Sequence, residues 1–208
     1  MTSRRTSLAA AIFVVTFVAG LLLVNNPDSE SSAATFAQWY AKSGNRVHLV
    51  LSAVLLSAAA LAWIVTVTGL RERVGDGAAA RVATTAAAAT AALVGLAGTL
   101  LAAIPAAMTF GSAPAPGVDL ERFLPQAGYA ALTLFAMPAA ALTVTALCVA
   151  ALRTAALPRW LAYLGFAASL LLLGSLEFFP MLLFVVWVAA TAVVLARRPL
   201  RIPLPATA

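Results

Sequence analysis

The sequence is short of charge. Asp, Glu, Lys and Arg make up 10% of its 208 residues, whereas hydrophobic residues make up 63% and the mean hydropathy is +1.00. A water-soluble domain of this size is about a quarter charged, because it needs a polar surface around its core. This chain cannot cover itself in that way, and its composition therefore indicates a protein embedded in a lipid bilayer.

Cysteine and histidine are nearly absent, with Cys148 and His48 the single examples of each. A lone thiol excludes an intrachain disulfide, and a lone imidazole does not make a metal site. The sequence also lacks an HExxH motif, a glycine-rich phosphate loop and any pair of carboxylates within one apolar run. We therefore expect no cofactor, no metal and no catalytic residues, and we favour a protein that is not an enzyme.

Long apolar runs fill most of the chain. A bilayer core of about 30 Å needs roughly 20 residues of helix. The last run extends over residues 160–196 with Glu177 as its one charge, so it is long enough for two helices joined by a turn near Pro180. The predicted fold is an all-α, polytopic membrane bundle of six transmembrane helices in a single domain, residues 1–208. The predicted spans are residues 8–24, 47–70, 82–108, 127–152, 160–175 and 180–196.

The basic residues predict an orientation for these spans. With the N terminus in the cytoplasm, ten of the 13 basic residues and two of the seven acidic residues lie inside, giving net charges of +8 inside and −2 outside. The excess of Arg and Ala is typical of a high-GC bacterial genome. We expect a multi-pass protein of the bacterial cytoplasmic (inner) membrane with both termini cytoplasmic. Because the charges are scattered rather than gathered in a patch, we expect no nucleic-acid partner.

The N terminus has a second interpretation. Arg4 and Arg5 precede an apolar run, and Ser31-Ser32-Ala33 follows it at some distance, which is the order of a secretory or twin-arginine signal with a cleavage site. The 17 residues of that run exceed a usual signal core. An uncleaved first span is the favoured interpretation, and cleavage would leave five spans.

Two features inside the spans predict packing. Small residues recur every four positions in the third span, and such a stripe lets helices approach closely, within one bundle or between two copies of the chain. We predict that the face carrying Gly95 and Thr99 is buried. Pro138 lies within the fourth span and predicts a bend over residues 134–138. The stripe consists of Ala87, Ala91, Gly95, Thr99 and Ala103.

Polar and aromatic residues gather on the predicted outer side. Phe36, Trp39 and Tyr40 have the spacing of one helical face, which predicts a short amphipathic helix between the first two spans. The predicted ligand-binding rim consists of His48, Arg46, Glu177, Trp39 and Tyr40. The alternative is that these side chains anchor the protein at the lipid headgroups.

Three segments carry a resemblance to known proteins. They are residues 36–46, the end of the second span at Gly69-Leu70-Arg71, and residues 157–165, which read LPRWLAYLG. Together they resemble a broad group of six-span bacterial membrane proteins of unknown function. The resemblance implies a topology and brings no established substrate.

Three functions remain open from the sequence. The first is a non-catalytic membrane protein that binds a lipid, an apolar small molecule or a membrane partner, and it suits the absence of charge at the centre of the spans. The second is a permease or channel-like subunit, which Pro138 and the stripe of small residues favour and which would need an oligomer or a central polar path. The third is a membrane enzyme at the outer interface that uses His48, Arg46 and Glu177. The expected partners are the bilayer, a lipid or apolar ligand, and a second copy of the chain.

Overall fold

The computed structural model describes residues 3–174 and 179–197. Helices hold 86% of these residues, and no strand occurs among them. The all-α class is therefore confirmed. The helices are α1 (Ser3–Leu22), α2 (Ala33–Ala41), α3 (Ser43–Val74), α4 (Ala78–Phe110), α5 (Val118–Ala130), α6 (Met137–Thr154), α7 (Arg159–Leu173) and α8 (Phe179–Arg197), and a π-helical segment (Ala131–Ala136) joins α5 to α6.

Five helices in the described part of the chain are long and apolar enough to cross a membrane. A sixth apolar helix, α7, has 15 residues, so its axial length of about 22 Å is less than a bilayer core of about 30 Å. The turn predicted near Pro180 includes Ser175 and Glu177, which lie outside the described residues. The five long helices are Ser3–Leu22, Ser43–Val74, Ala78–Phe110, Val118–Thr154 and Pro180–Arg197.

The helices form a closed ring of neighbours. Going around it, α1 packs on α3, α3 on α4, α4 on α6, α6 on α7, α7 on α8, and α8 on α1. Helices α1 and α3 are antiparallel: Ser52 in the third turn of α3 donates to the Gly20 carbonyl near the end of α1, 2.7 Å away, and Arg73 near the end of α3 bonds to Ser3. We call the end where α1 finishes and α3 begins the α2 end.

The interior of the ring is aromatic between α1, α3 and α8. Phe13 lies 5.2 Å from the rings of both Phe17 and Trp63, and 5.6 Å from Phe184. All four side chains are buried. Since edge and offset contacts of this kind add to the gain from burial, this cluster holds three helices together.

Close helix approach occurs at glycines other than those predicted from the stripe. A Cβ at Gly165 of α7 would fall on the Cys148 sulfur and 2.7 Å from Trp187 Nε1, and one at Gly69 would fall on the Thr6 side chain. Glycine therefore allows α7 to contact α6 and α8, and α3 to contact α1. Cys148 is fully buried by this packing.

The prediction that the Gly95 and Thr99 face is buried is wrong. Thr99 is exposed, and nothing lies within 4 Å of a Cβ placed on Gly95. The contact with α3 is made instead at Gly98, where a Cβ would lie 3.4 Å from Ala53 Cα. Four residues turn an α-helix by about 400°, so a stripe with four-residue spacing moves around the helix by about 40° at each step. Its first members, Ala87 and Ala91, are accordingly buried.

The helix around Pro138 departs from α geometry at the predicted place. The π segment Ala131–Ala136 ends directly before α6, and the Met137 N–H bonds to the Leu132 carbonyl, five residues earlier. A single π turn is one way in which a helix accommodates a proline without ending. The chain remains helical from Val118 to Thr154, and the bend itself stays a prediction.

Hydroxyl groups buried between the helices have hydrogen-bond acceptors. The Ser52 hydroxyl bonds across to α1, as described above. Five others bond to the carbonyl four residues earlier in their own helix, with distances of 2.8–2.9 Å. They are Thr66, Thr90, Thr143, Ser169 and Thr191.

Candidate functional site: a polar pocket at the α2 end

The short helix predicted between the first two spans is present as α2. Ser32 caps its start, accepting a hydrogen bond from the Thr35 N–H at 3.2 Å. Phe36 and Tyr40, one helical turn apart, are 2% and 1% exposed and pack with Ile104 of α4. The aromatic face of α2 therefore packs on the bundle, because the end of α4 and the start of α5 supply apolar surface there.

The end of α2 is held by two side chains from the first turn of α3. Asn45 Nδ2 donates to the Trp39 carbonyl at 3.0 Å, and Arg46 Nη1 donates to the Tyr40 carbonyl at 2.5 Å. The bond from Arg46 satisfies a carbonyl group at the helix end, and the Trp39 carbonyl also accepts from the Lys42 N–H at 3.3 Å. Arg46 thus has a structural role, while its Nε atom is buried without a hydrogen-bond partner among the described residues.

None of the four described residues of the predicted rim lines the pocket described next. Trp39 and Tyr40 form an edge-to-face pair with ring centroids 5.0 Å apart, and Arg46 lies at the end of the same helix. His48 is exposed in the second turn of α3. Glu177 lies outside the described residues. A binding role for these residues stays a prediction.

A polar pocket with a volume of about 300 Å³ lies between the 23–32 link and α5. Arg122 holds these two segments together: its Nη2 donates to the Ser31 carbonyl at 2.5 Å, and its guanidinium carbon lies 5.6 Å from the centre of the Phe36 ring. On α5, residues 122, 125, 126 and 129 share one helical face. The pocket is lined by Asn26, Pro27, Asp28, Ser29, Phe36, Glu121, Arg122, Pro125, Gln126 and Tyr129.

Several polar atoms at this pocket are buried without partners. Both Nδ2 and Oδ1 of Asn26, and Nε of Arg122, have no hydrogen-bond partner among the described residues. A buried polar group that is left unpaired costs about 1–3 kcal/mol. Two donors and an acceptor on residues that line the pocket are therefore buried, and no hydrogen bond in the described part of the protein offsets the cost of burying them.

Glu121 adds a buried negative charge. Its side chain is 3% exposed, and within the described residues no hydrogen bond or ion pair engages its carboxylate. It precedes the apolar run that begins at Ala127, in a helix far longer than a bilayer core. Burial raises the pKa of Glu121, and burial together with the Glu121 charge raises the pKa of Tyr40 to about 12.

The pocket has the chemistry of a binding site. Glu121 and Asp28 offer negative charge, Arg122 offers a positive one, and Asn26 offers both a donor and an acceptor. No group of three metal-ligating side chains occurs in the part of the chain that the structure describes. Binding of a polar group is what these side chains can do.

Sequence reasoning missed the pocket. It used Asp28 and Glu121 only to count charge across the membrane, and it did not single out Asn26 or Arg122. The available indication was the first half of α5, where Arg122, Gln126 and Tyr129 recur on one face of a segment with apolar residues between them.

A second cavity, an apolar groove, shares one lining residue with the pocket. It has a volume of about 620 Å³ and lies between α4 and the helix formed by α5 and the π segment. Gln126 lines both cavities. We call this cavity the α4–α5 groove, and its lining residues are Leu93, Leu96, Leu100, Phe123, Gln126, Ala127, Ala130, Ala131 and Phe135.

The comparisons with known proteins add no relative to this picture. No protein-family model, no curated protein and no solved structure matches the chain.

Proposed function

We propose that this chain is a multi-pass membrane protein whose function is to bind a polar ligand group in the pocket at the α2 end. The observation that carries the proposal is the set of buried, unpartnered polar atoms of Asn26 and Arg122 around a cavity of about 300 Å³. Buried polar groups in folded proteins are normally paired. A ligand that forms hydrogen bonds with these atoms offsets the free-energy cost of burying them unpaired, which folding alone does not offset.

The proposal places the pocket on the outer side of a bacterial cytoplasmic membrane. Arginines at the opposite end of the bundle support this orientation, because basic residues favour the cytoplasmic side. Both termini are then cytoplasmic. The opposite end carries Arg71, Arg73, Arg81, Arg153 and Arg159 with two acids, Glu72 and Asp76, whereas the α2 end carries Asp28, Glu30, Asp119 and Glu121 with three bases, Lys42, Arg46 and Arg122.

Binding is favoured over transport by the state of the polar groups within the spans. A permease needs polar groups at depth that can exchange partners with its cargo. The buried hydroxyls of Thr90 and Thr143 instead bond to carbonyls of their own helices, as does that of Ser169. The unpartnered polar atoms are concentrated at the α2 end, where a ligand enters without crossing the bundle.

Asn26 offers a sharp test because the sequence supplies its own control. Asn26→Leu removes a donor and an acceptor from the pocket, whereas Asn25→Leu makes the same change at an exposed neighbouring residue that does not line it. The loss of two hydrogen bonds of about 0.5–1.5 kcal/mol each weakens ligand binding about 5- to 150-fold. Native mass spectrometry of the detergent-solubilised full chain measures the retained ligand.

Stability separates a binding defect from a folding defect. Because Asn26→Leu also removes unpartnered buried atoms, the ligand-free variant should melt at the same or a higher temperature than the original protein. The expected pattern is loss of bound ligand without loss of stability, in Asn26→Leu and not in Asn25→Leu. Equal ligand retention in all three proteins, or no retained ligand in any of them, would overturn the proposal.

A further inference from the structure

We propose that the ligand of the polar pocket is a phospholipid with an amino headgroup, whose ammonium lies beside Glu121 and whose acyl chain follows the α4–α5 groove. This inference rests on the proposed function, since it names the class of ligand for the same pocket. It depends on three observations: a buried glutamate, Glu121, that no hydrogen bond or ion pair engages among the described residues; unpartnered donors on two other residues that line the same pocket; and an apolar groove that shares Gln126 with the pocket.

The buried charge of Glu121 selects for a cation. An unpaired buried carboxylate is costly, and a positive group within hydrogen-bond distance offsets that cost far better than a neutral one. Arg122 does not fill this role within the described structure, because it bonds to the Ser31 carbonyl and lies over the Phe36 ring. Asp28 at the rim of the pocket adds a second negative charge. A primary ammonium, with three donors, suits this set of acceptors.

The same pocket contains donors for the other half of a zwitterionic headgroup. Arg122 Nε and Asn26 Nδ2 are both buried without partners among the described residues. Guanidinium and amide N–H groups are usual donors to phosphate oxygens. A phosphoethanolamine group therefore matches the pocket in both of its charges, whereas a headgroup that is only anionic would meet Glu121 and Asp28 without compensation.

The α4–α5 groove gives the ligand a place for its apolar part. On α5, Arg122 and Gln126 face the pocket, and Phe123 and Ala127 line the groove on the neighbouring face of the helix. From Gln126 to Phe135 the helix rises about 14 Å toward the middle of the bundle. Phe123 and Phe135 are 67% and 60% exposed at the groove. A headgroup in the pocket can thus be joined past Gln126 to a chain that lies along apolar surface.

The charge part of the proposal is tested with a matched pair of variants on α5. Glu121→Gln removes the buried charge, and Asp119→Asn removes an exposed charge two residues away that does not line the pocket. Native mass spectrometry with phosphatidylethanolamine and phosphatidylglycerol in competition gives the preference between the two lipids. We expect the original protein and Asp119→Asn to prefer phosphatidylethanolamine by about tenfold or more, and Glu121→Gln to lose that preference.

The groove is tested separately, with free phosphoethanolamine as the second probe. Ala127→Phe fills the groove, and Ala89→Phe adds the same ring at an exposed site on α4 outside it. We expect Ala127→Phe to reduce binding of the lipid and to leave binding of free phosphoethanolamine unchanged. Equal lipid binding by Ala127→Phe and Ala89→Phe would refute the acyl-chain position and leave a site for a soluble headgroup only.

The two proposals fail in different ways. If Asn26→Leu loses a ligand while the original protein shows no preference for phosphatidylethanolamine, the pocket binds something else and this inference is wrong. If Glu121→Gln keeps the full preference, the ammonium does not lie beside Glu121 and the inference is also wrong. If Asn26→Leu changes nothing, the proposed function itself fails.

Discussion

Replacement of Gly165 by alanine tests the packing of the bundle most directly. The added methyl group would coincide with the Cys148 sulfur and lie 2.7 Å from Trp187 Nε1. Cys148 and Trp187 are both 0% exposed, so neither can move into open space. The change also disturbs the 3.0 Å hydrogen bond from Trp187 Nε1 to the Leu161 carbonyl, which orients the indole.

The magnitude follows from two opposing effects. Alanine is favoured over glycine in a helix by about 0.8–1 kcal/mol. Overpacking a filled core costs about 1–3 kcal/mol, and a disturbed buried hydrogen bond costs about 1 kcal/mol more. We therefore expect Gly165→Ala to lower the free energy of unfolding by about 1–3 kcal/mol.

Gly95→Ala is the matched control, because nothing lies within 4 Å of its new methyl group. Only the helix propensity then changes, and the free energy of unfolding should rise by up to about 1 kcal/mol. Reversible chemical denaturation in detergent micelles measures both variants. Equal stability of Gly165→Ala and Gly95→Ala would refute the packing described for α6, α7 and α8.

A second substitution identifies the clash. Cys148→Ala removes the sulfur that the Gly165→Ala methyl group would meet. In the double variant that methyl group occupies part of the space vacated by the sulfur. The double variant should therefore lose less free energy of unfolding than the two single variants added together, by about 1 kcal/mol or more. Additive effects would mean that Trp187, rather than Cys148, resists the substitution.

Two further predictions concern the α2 end. Ala115 and Gly77 are both exposed and lie at opposite ends of the bundle. In intact cells, a cysteine introduced at Ala115 should react with a membrane-impermeant maleimide, and one introduced at Gly77 should not. The reverse pattern would invert the proposed orientation. Tyr40, with its pKa raised from 10.0 to about 12 by burial and by Glu121, stabilises the fold below about pH 10 and loses that contribution as pH rises to about 12. Glu121→Gln should lower the pKa of Tyr40 while leaving it above 10, because burial remains. Tyrosinate absorbance with a Tyr40→Phe reference measures this pKa, and an unchanged value would show that the charge of Glu121 does not act on Tyr40.

The elements predicted best from the sequence are those set by local patterns. The apolar runs predict where the long helices lie, since length and hydropathy depend on no tertiary contact. The helix of the fourth span nevertheless begins at Val118, nine residues before the predicted start at residue 127. The spacing of Phe36, Trp39 and Tyr40 likewise predicts α2, confirmed over Ala33–Ala41. What these rings contact was not predictable in this way, because it depends on how far α4 and α5 extend beyond them.

The buried face of α4 shows where a local pattern is insufficient. The four-residue stripe of small residues predicts a contact at Gly95, whereas the contact lies at Gly98, three residues further along the helix. An alanine-rich helix has small residues on every side, so composition alone does not distinguish its faces. The choice is made by the neighbours: α3 approaches at Ala53, and α5 approaches at Gly128, where a Cβ would lie 3.0 Å from the Ala97 carbonyl.

The pocket could not be predicted because its two walls are distant in the chain. Asn26 and Arg122 come together only when the 23–32 link folds over α5, and the bond from Arg122 to the Ser31 carbonyl that closes it joins residues 91 positions apart. Neither segment carries a motif by itself. A chain with one histidine and few charges therefore gives little indication of its binding residues until its helices are assembled.

The distribution of unsatisfied groups gives the physical reason for assigning function to one end of the bundle. Between the helices, buried hydroxyls such as Thr66 and Thr191 have acceptors at 2.8 Å. Apart from Trp63 Nε1, the buried side-chain atoms that the described structure leaves unpaired belong to residues at the α2 end. A fold that pairs its polar groups at depth and leaves them unpaired at one surface has a local conflict there, and such conflicts are typical of functional sites. The residues at the α2 end that carry it are Asn26, Arg46, Thr109 and Arg122.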